Sequence, residues 1–377
     1  MRSSLSIGAA VFALSGIEQI LEDSPGAEVD MLCTPLQGEL LSDDPRISRL
    51  FPVLETCPKG TPLWKKLRAS NATTPNLQEL RARNYEAVFR CNITPLFDTS
   101  LNAKVVWPRP IAFANDIRRL KKLEDRPMGY LIRKTINQYF GVKGDVRVDE
   151  KTALYLRPEW MQHALEAVRG LTSASSEPEN RKLIVVCPDS SSSFTRPQTP
   201  LLAQGIAGAL EQDRNATVLV FPSFSSDASE RLTHALREHS ERVHELPADP
   251  TPHLLYEAAL MDLADVVISP DTSTLHLAAA KKILTYEAEI SNSAPRNNSH
   301  IIALFGATNP GLFSYPFVTT LGRGRKEQRA IQPGIYKLGV APDPDVDYLS
   351  HISPNELTAA ILNTRRNKPG MASQTKD

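Results

Sequence analysis

Residues 265–280 read DVVISPDTSTLHLAAA, and this stretch decides the fold class of the chain. The apolar run 266–268 ends close to a proline, which is typical of a buried strand in a parallel sheet. Asp271, Thr272 and Ser273 follow, all residue types that often begin helices, and the Ala/Leu-rich segment after them has a high helix propensity. The stretch therefore predicts a strand, a tight turn and a helix, the repeating unit of an α/β fold.

The turn in this unit has the features of a phosphate site. Open α/β sheets bind ligands beyond the carboxyl ends of their strands, and a helix start presents free N–H groups and the positive end of the helix dipole. Thr272, Ser273 and Thr274 add hydroxyl donors, and His276 lies about one turn into the helix. Taken alone, Asp271 is more often a plain N-cap and His276 a buried core histidine. Their occurrence on one strand-to-helix turn favours a binding site.

The same alternation of strands and helices runs along the chain. Strands are predicted at 27–32, 51–54, 85–91, 105–107, 111–114, 183–187, 216–221, 243–246, 266–268 and 301–305. Helices are predicted at 9–23, 36–41, 77–84, 128–140, 200–210, 228–238, 254–263, after Pro270, and at 353–364, where SPNE forms a capping box. This alternation predicts parallel sheets covered by helices.

A polar segment without periodicity, 173–181 (SASSEPENR), divides the pattern in two and is the predicted linker. With 377 residues, the chain is long enough for two domains of ordinary size. We expect α/β domains at 1–172 and 182–352. A C-terminal helix should follow at 353–365, and 366–377 should form a disordered tail.

The composition excludes several classes of function. Lys+Arg and Asp+Glu both number 43, so the net charge is zero and no global field attracts nucleic acid. The 8 histidines include no H-x-x-x-H pair, so no metal site is expected. The cysteines, Cys33, Cys57, Cys91 and Cys187, are far apart in sequence and are predicted to be reduced, mostly buried thiols.

The N-terminal segment has two interpretations. Arg2 and the apolar run after it could form a short signal peptide. The helical spacing of Val11, Leu14, Ile17 and Leu21 into a polar stretch favours an amphipathic helix of the mature fold. No run approaches the roughly 20 apolar residues of a membrane span. We therefore expect a cytoplasmic protein.

Two motifs give the sequence a family resemblance. Residues 271–279 read DTSTLHLAA and residues 302–310 read IALFGATNP. They resemble the D-[ST]-[GS]-x-x-H-x-A-A motif and the strand followed by G-x-T-x-P of glycosyltransferase family 9, the ADP-heptose:lipopolysaccharide heptosyltransferases. Weaker matches lie at 25–30, 85–88 and 352–357. The resemblance implies a GT-B fold, in which two Rossmann-like domains with parallel sheets face each other across a cleft.

The resemblance also implies which residues bind the donor, a nucleotide diphosphate sugar. Asp271, Thr272, Ser273 and His276 would face the pyrophosphate in the C-terminal domain. Cleavage of the sugar–phosphate bond builds negative charge on the leaving group, and pre-aimed N–H and hydroxyl donors stabilise that charge without a metal. No cofactor is implied, since the nucleotide sugar is the substrate.

Two further loops are expected beside the donor. Gly306 and Thr308 would let the backbone approach it closely, although the segment alone could be a simple β-turn. The loop 188–196 (PDSSSSFTR) would contribute Ser192 and Arg196, because hydroxyl and guanidinium groups suit a diphosphate. A serine-rich loop is as often only a surface loop.

The N-terminal domain is implied to bind the acceptor, a glycan or a glycolipid. The family opens with a strand and a Gly-Asp step whose aspartate is the proposed general base, and here Gly8 and Ala9 take those positions. Alanine cannot accept a proton, so no catalytic residue is assigned. Glu18 is expected on the solvated face of the first helix and Asp30 at an ordinary strand position, so neither is a better candidate. The first strand is expected to be short or missing.

Two other segments bear on the acceptor and on the site. Arg118 and Arg119 belong to a basic cluster in the acceptor domain that could meet an anionic glycolipid and give a peripheral membrane contact, although such clusters are usually solvated. The segment 281–300 resembles an inserted loop, since the family has only a few residues there.

The sequence therefore predicts a glycosyltransferase of lipopolysaccharide biosynthesis. It would move a heptose-like sugar from a nucleotide diphosphate, possibly linked to adenine, to an acceptor hydroxyl, with inversion at the anomeric carbon and without a metal. The alternative is a degenerate homologue that binds a nucleotide sugar or a protein partner without turnover, which Ala9 favours.

Overall fold

The computed structural model describes residues 7–52, 79, 82–83, 85–89, 104–106, 128–142, 153–172, 182–190, 192–223, 226–246, 254–291, 300–315, 317–332, 342–343 and 345–364. The chain divides into two compact units, Met1–Leu156 and Arg157–Asp377. None of the helices in these described stretches is both long and apolar enough to cross a membrane.

The described part of the first unit contains three helices and two pairs of parallel strands. The helices are α1 (Ile7–Asp23), α2 (Pro35–Leu41) and α3 (Met128–Phe140). The strands are β1 (Asp30–Cys33), β2 (Arg49–Pro52), β3 (Ala87–Phe89) and β4 (Lys104–Val106). β1 pairs with β2, and β3 pairs with β4.

Helix α1 packs against α3. Its apolar face is buried, as the spacing of Val11, Leu14 and Ile17 predicted. Gly16 lets the two helices approach closely, since a Cβ atom there would lie 2.9 Å from Cγ2 of Ile132. The prediction of a helix that belongs to the fold is therefore confirmed for this segment.

The second unit is built on a six-stranded parallel sheet. Its strands are β5 (Lys182–Val186), β6 (Ala216–Val220), β7 (Val243–Glu245), β8 (Val266–Pro270), β9 (Ile301–Phe305) and β10 (Thr319–Gly322). Its helices are α4 (Pro158–Thr172), α5 (Thr199–Gln212), α6 (Ala228–Ala235), α7 (Leu254–Leu263), α8 (Ser273–Ser291), α9 (Pro310–Phe313), α10 (Arg325–Ile331) and α11 (Pro354–Leu362).

The strand order is β10-β9-β8-β5-β6-β7, and every neighbouring pair is parallel. Counted from β5, this is the 3-2-1-4-5-6 order of a doubly wound, Rossmann-type sheet. The chain leaves β5 in one direction to build β6 and β7 and returns to its other side to build β8. The point where the order reverses therefore lies between β5 and β8.

The centre of this sheet is fully enclosed. All five residues of β5, β6, β8 and β9 are buried, as expected for strands covered on both faces. Helices α5 and α11 pack against one another on the same hydrophobic core. Burial of these apolar runs explains why the sequence predicted the central strands so closely.

The structure confirms the predicted α/β fold class, with a Rossmann-type parallel sheet in the second unit. Predicted strands at 183–187, 216–221, 243–246, 266–268 and 301–305 correspond to β5 to β9. Four elements were not predicted, namely α4, α9, β10 and α10. The linker at 173–181, the strand at 111–114, the tail at 366–377 and most of the helix at 77–84 lie outside the described residues, and these stay predictions.

The loop expected at 281–300 is wrong over most of its described length, because α8 continues as a helix to Ser291. Two lysines fasten the helix there. Lys282 Nζ donates to the carbonyl oxygens of Asp262 (2.6 Å) and Ala264, which end α7, and Lys281 Nζ lies 3.2 Å from Asp262 Oδ2. Both lysines are buried, so the helix has tertiary support that spacing along the sequence does not reveal. Residues 292–299 lie outside the described part.

Candidate functional site

Three turns of the second unit leave adjacent strands at the same edge of the sheet. β8 pairs with β5 on one side and with β9 on the other. Because the strands are parallel, the turns that follow them meet at the carboxyl edge. The position between β5 and β8 is the switch point of the sheet, where folds of this kind bind ligands.

The central turn is held to the neighbouring strand. The backbone N–H of Asp271 donates to the carbonyl oxygen of Leu304 (3.2 Å), which extends the β8–β9 pairing by one residue. Helix α8 then begins at Ser273. Asp271 and Thr272 therefore form the tight turn that the sequence predicted, and the first N–H groups of α8 lie at the carboxyl edge.

Hydroxyl groups line this turn. Thr274 Oγ1 lies 2.7 Å from Ser269 Oγ and 2.7 Å from Thr272 Oγ1. The three oxygens form a short hydrogen-bonded chain from the end of β8 to the first turn of α8. The Thr272 and Ser273 side chains are only partly buried, whereas Ser269 is fully buried. The outer hydroxyls can therefore meet a ligand while the inner one fixes the turn.

His276 is buried behind the turn with 6% of its surface exposed. Its Nδ1 lies 2.9 Å from the hydroxyl of Tyr315, and the two rings meet edge to face at a centroid distance of 5.8 Å. Its Nε2 lies 3.8 Å from Asp271 Oδ1, which is too long for a direct hydrogen bond. Burial lowers the pKa of His276 to about 3, so the imidazole is neutral at physiological pH.

Asp271 is also buried, with 7% of its side chain exposed. Burial raises the pKa of Asp271 to about 6, and the neighbouring Thr308 side chain opposes this rise. Desolvation therefore disfavours the charged form of both Asp271 and His276. With a pKa of about 6, Asp271 is still mostly ionised at physiological pH, so the carboxylate keeps its charge at the turn while the imidazole carries none.

The turn after β9 joins the central turn through Thr308 and the β5 loop through Gly306. A Cβ atom at Gly306 would lie 2.7 Å from the carbonyl oxygen of Phe194. The backbone of the protein itself, at the Phe194 carbonyl, therefore makes the close approach that we expected at Gly306. Gly306 allows the loop 192–196 to pack against the end of β9, and the three turns come together.

The loop after β5 is internally cross-linked. Arg196 Nε donates to Asp189 Oδ1 (2.7 Å) and its Nη2 donates to the carbonyl oxygen of Ser190 (2.7 Å). Ser190 Oγ lies 2.6 Å from Thr195 Oγ1. Ser192 precedes a short 3-10 helix, Ser193–Thr195, and its carbonyl oxygen accepts from the N–H of Thr195. Arg196 thus shapes the loop, a contact that the sequence did not predict.

Sequence reasoning missed two polar side chains near these turns. One is Tyr315; the sequence signal was an aromatic residue shortly after the 302–310 motif. The other is Glu257 on α7, which is 1% exposed and whose Oε1 has no hydrogen-bond partner among the residues that the structure describes. Burial raises the pKa of Glu257 to about 7. No pattern in the sequence indicated that this helix position is buried and polar.

Glu257 lies near Cys187, the residue that follows β5. Burial raises the pKa of the Cys187 thiol, the Glu257 carboxyl raises it further, and a hydrogen bond with Thr274 lowers it. Cys187 is a buried free thiol, and so is Cys33 in the first unit. Cys187 therefore stays protonated and inert and does not serve as a nucleophile.

The first unit holds the residues that the resemblance assigned to the acceptor side. Gly8 and Ala9 lie in the first turn of α1, while Arg118 and Arg119 lie outside the described residues. Both carboxylates considered as substitutes for the base accept hydrogen bonds from other side chains. Glu18 accepts from Arg46 Nη1 (2.7 Å), and Asp30 accepts from Arg83 and from the Tyr85 hydroxyl (2.7 Å).

These contacts change the interpretation of both carboxylates. Glu18 was expected on a solvated face and Asp30 at an ordinary strand position, but each is part of an ion pair.

In the described part of the chain, no group of three or more His, Cys, Asp and Glu side chains could hold a metal ion.

Comparison with solved structures gives matches over almost the whole chain. ADP-heptose LPS heptosyltransferase II of E. coli is 16% identical, with a TM-score of 0.60 and coverage of 95% of this chain and 96% of that one. A glycosyl transferase of family 9 from Veillonella parvula is 14% identical, with a TM-score of 0.61 and 95% of each chain covered. E. coli heptosyltransferase WaaC with ADP is 17% identical, with a TM-score of 0.60 and coverage of 95% and 97%.

No family model matches the chain, and no curated protein does either. The similarity is therefore one of fold, because sequence identities of 14–17% are too low to transfer a function from one protein to another. The chain has the fold of the family 9 heptosyltransferases, as its DTSTLHLAA and IALFGATNP motifs predicted.

Proposed function

We propose that this chain is a glycosyltransferase that moves a sugar from a nucleotide diphosphate donor to an acceptor hydroxyl. The observation that carries the proposal is the turn between β8 and α8. It offers the N–H groups of a 19-residue helix, the Thr272 and Ser273 hydroxyls and a neutral His276 at the switch point of a doubly wound sheet. These groups suit a diphosphate.

The chemistry follows from where charge develops. The acceptor oxygen forms a bond to the anomeric carbon as the bond from that carbon to the diphosphate breaks, and the electron pair of the broken bond goes to the phosphate oxygen. A single in-line displacement inverts the anomeric centre. Helix N–H groups and hydroxyls aimed at that oxygen stabilise its growing charge, and they need no metal to do so. The acceptor hydroxyl loses its proton as the new bond forms, and because Ala9 cannot accept it, this proton passes to solvent water.

The donor and acceptor are proposed from the structural neighbours. WaaC has been solved with ADP and with ADP-2-deoxy-2-fluoro heptose, the second at a TM-score of 0.58 and 15% identity to this chain. These ligands support an adenine nucleotide and a heptose-like sugar here. We propose a lipopolysaccharide-type glycan or glycolipid as acceptor, whose anionic groups Arg118 and Arg119 would contact, and a cytoplasmic location.

The donor site can be tested by calorimetric titration of the full chain with ADP, with UDP, GDP and inorganic phosphate for comparison. Ser273→Ala removes a hydroxyl at the start of α8 and should weaken ADP binding by about tenfold, the effect of one hydrogen bond to a charged group. Ser240→Ala is the control, since Ser240 is exposed and precedes β7 at the opposite edge of the sheet. Equal affinities of the two variants would contradict the proposed site.

Turnover needs a separate assay. The full chain, incubated with ADP-heptose, should release ADP, and release should rise when a lipopolysaccharide core acceptor is added. Release of nothing from any nucleotide sugar, by protein that still binds ADP, would overturn the enzymatic function. The protein would then be a non-catalytic homologue, as the alanine at position 9 allows.

A further inference from the structure

His276 has a different neighbour at each ring nitrogen. Nδ1 lies 2.9 Å from the Tyr315 hydroxyl, and Nε2 lies 3.8 Å from Asp271 Oδ1. Tyr315 is 3% exposed, and its ring packs between those of His276 and Phe317, with a centroid distance of 5.7 Å to the latter. The tyrosine is thus held in one orientation, with its hydroxyl directed at one nitrogen of the imidazole.

A neutral imidazole carries its proton on one nitrogen only. If that proton were on Nδ1, the lone pair of Nε2 would face the Asp271 carboxyl oxygen without a proton between them. A proton on Nε2 removes this repulsion and leaves Nδ1 as an acceptor for the Tyr315 O–H. The two contacts together therefore favour one tautomer.

We infer that Tyr315 is a positioning residue for the donor site, whose O–H donates to Nδ1 of His276 and holds the imidazole as the Nε2–H tautomer. The ring then presents a neutral N–H donor towards the Asp271 turn. This inference rests on the proposed function, because the beneficiary of that N–H is the diphosphate. A neutral N–H can donate a hydrogen bond to the leaving phosphate as negative charge builds there, and the imidazole keeps its proton while it does so.

The tautomer can be read directly by NMR of the full chain with 15N-labelled histidine rings. The chain has 8 histidines, and His276→Gln identifies the signals of position 276 by their loss. The wild-type protein should show a protonated Nε2 and an unprotonated, hydrogen-bonded Nδ1. Tyr315→Phe should move the Nδ1 signal, because that nitrogen loses its donor. A protonated Nδ1 in the wild-type protein would overturn the inference.

A double-mutant cycle then separates positioning from a structural role. Glutamine at position 276 can place an amide N–H near the Nε2 position but has no counterpart of Nδ1. Tyr315→Phe should weaken ADP binding by about fivefold in the wild-type background and leave it unchanged in His276→Gln. Equal losses in both backgrounds, or no loss in either, would refute the positioning role.

Tyr130→Phe is the matched control, since Tyr130 is also 3% exposed but lies in the first unit, and it should leave ADP affinity unchanged. Thermal unfolding of each variant verifies that it is folded during the titration. Failure of the proposed function has a different signature from failure of this inference. A wild-type chain that does not bind ADP refutes the donor site, while the NMR signals still report the tautomer.

Discussion

Three buried titratable side chains lie at or behind the carboxyl edge of the large sheet, and the pKa of each is shifted towards the neutral form for one reason. Asp271, His276 and Glu257 are enclosed by the strands and helices around β8, so desolvation dominates the pKa of each. A diphosphate brings its own negative charge. The two carboxyls have raised pKa values near physiological pH, so they can take up protons as that charge approaches, whereas carboxylates with ordinary pKa values would stay ionised.

Glu257 offers a test of this burial that needs no ligand. Its pKa rises from 4.5 to about 7 on folding, so the native state holds a proton that the unfolded state has lost between these pH values. The free energy of unfolding must therefore fall as the pH rises through this window, by about 3 kcal/mol in total. Glu257→Gln cannot ionise and should escape the loss.

The measurement is urea unfolding of both proteins at pH 4.5 and at pH 8.5. Relative to that of the wild-type protein, the free energy of unfolding of the variant should rise by up to about 3 kcal/mol between the lower and the higher pH. Glu211→Gln is the control, because Glu211 is exposed on α5, and its difference from the wild-type protein should not change by a comparable amount. A Glu257→Gln difference that is independent of pH would show that this carboxyl is hydrated in the native state.

Among the secondary-structure elements, those with a strong apolar pattern could be predicted from the sequence. β8 and β9 are short apolar runs followed by turn residues, and the closing helix has the capping box that the structure confirms. β10 could not be predicted in this way, because its residues alternate between partly buried and exposed at the sheet edge and carry little hydrophobic signal. Helix α4 did have a signal, a proline in its first turn followed by apolar residues at helical spacing.

The site was only partly predictable for a different reason. The sequence motif named the residues of the central turn, because they are consecutive. The contacts of this turn and of its two neighbouring loops depend on residues outside the motif: Tyr315 reaches His276, the Phe194 carbonyl fills the space at Gly306, and Asp189 engages Arg196. Such contacts depend on which strands are neighbours and on how each loop closes, and the spacing of residues along the sequence reveals neither.

The packing of α5 on α11 gives a prediction about elements. A Cβ atom at Gly205 would lie 2.7 Å from Leu357 Cδ2, 2.8 Å from its Cγ and 2.9 Å from its Cβ, and Leu357 is fully buried. Gly205→Ala should therefore force the helices apart and destabilise the chain by about 1–3 kcal/mol, although alanine is the better helix former. Urea unfolding measures the change.

Gly170→Ala is the matched control, because among the described residues no atom beyond its chain neighbours and its own helix backbone lies within 4 Å of the position that its Cβ would take in α4. Alanine there should be neutral or stabilise by up to about 1 kcal/mol, through helix propensity alone. If both substitutions stabilised the protein, the contact between α5 and α11 would be looser than the structure indicates.

In the molecule as a whole, the boundary between the two compact units lies at a different point of the chain from the linker that the sequence predicted. The units divide after Leu156, so helix α4 belongs to the second unit, and it packs there against α7. The polarity of 173–181 suggested a boundary after α4. A polar sequence is typical of an exposed segment, and a loop within one unit can be exposed just as a linker between two units can.

This assignment of α4 can be tested by hydrogen exchange, because a ligand stabilises only the cooperative unit that binds it. At a concentration 100 times its dissociation constant, ADP should stabilise that unit by about 2.7 kcal/mol. Amides whose exchange requires unfolding of the second unit should then slow by about a hundredfold. Peptides from α4 should slow together with those from α7 and β8, while peptides from α1 and α3 should keep their rates. If α4 instead followed α1 and α3, the boundary would lie after α4, as 173–181 predicted, and the α4–α7 contact would be too weak to join them into one cooperative unit.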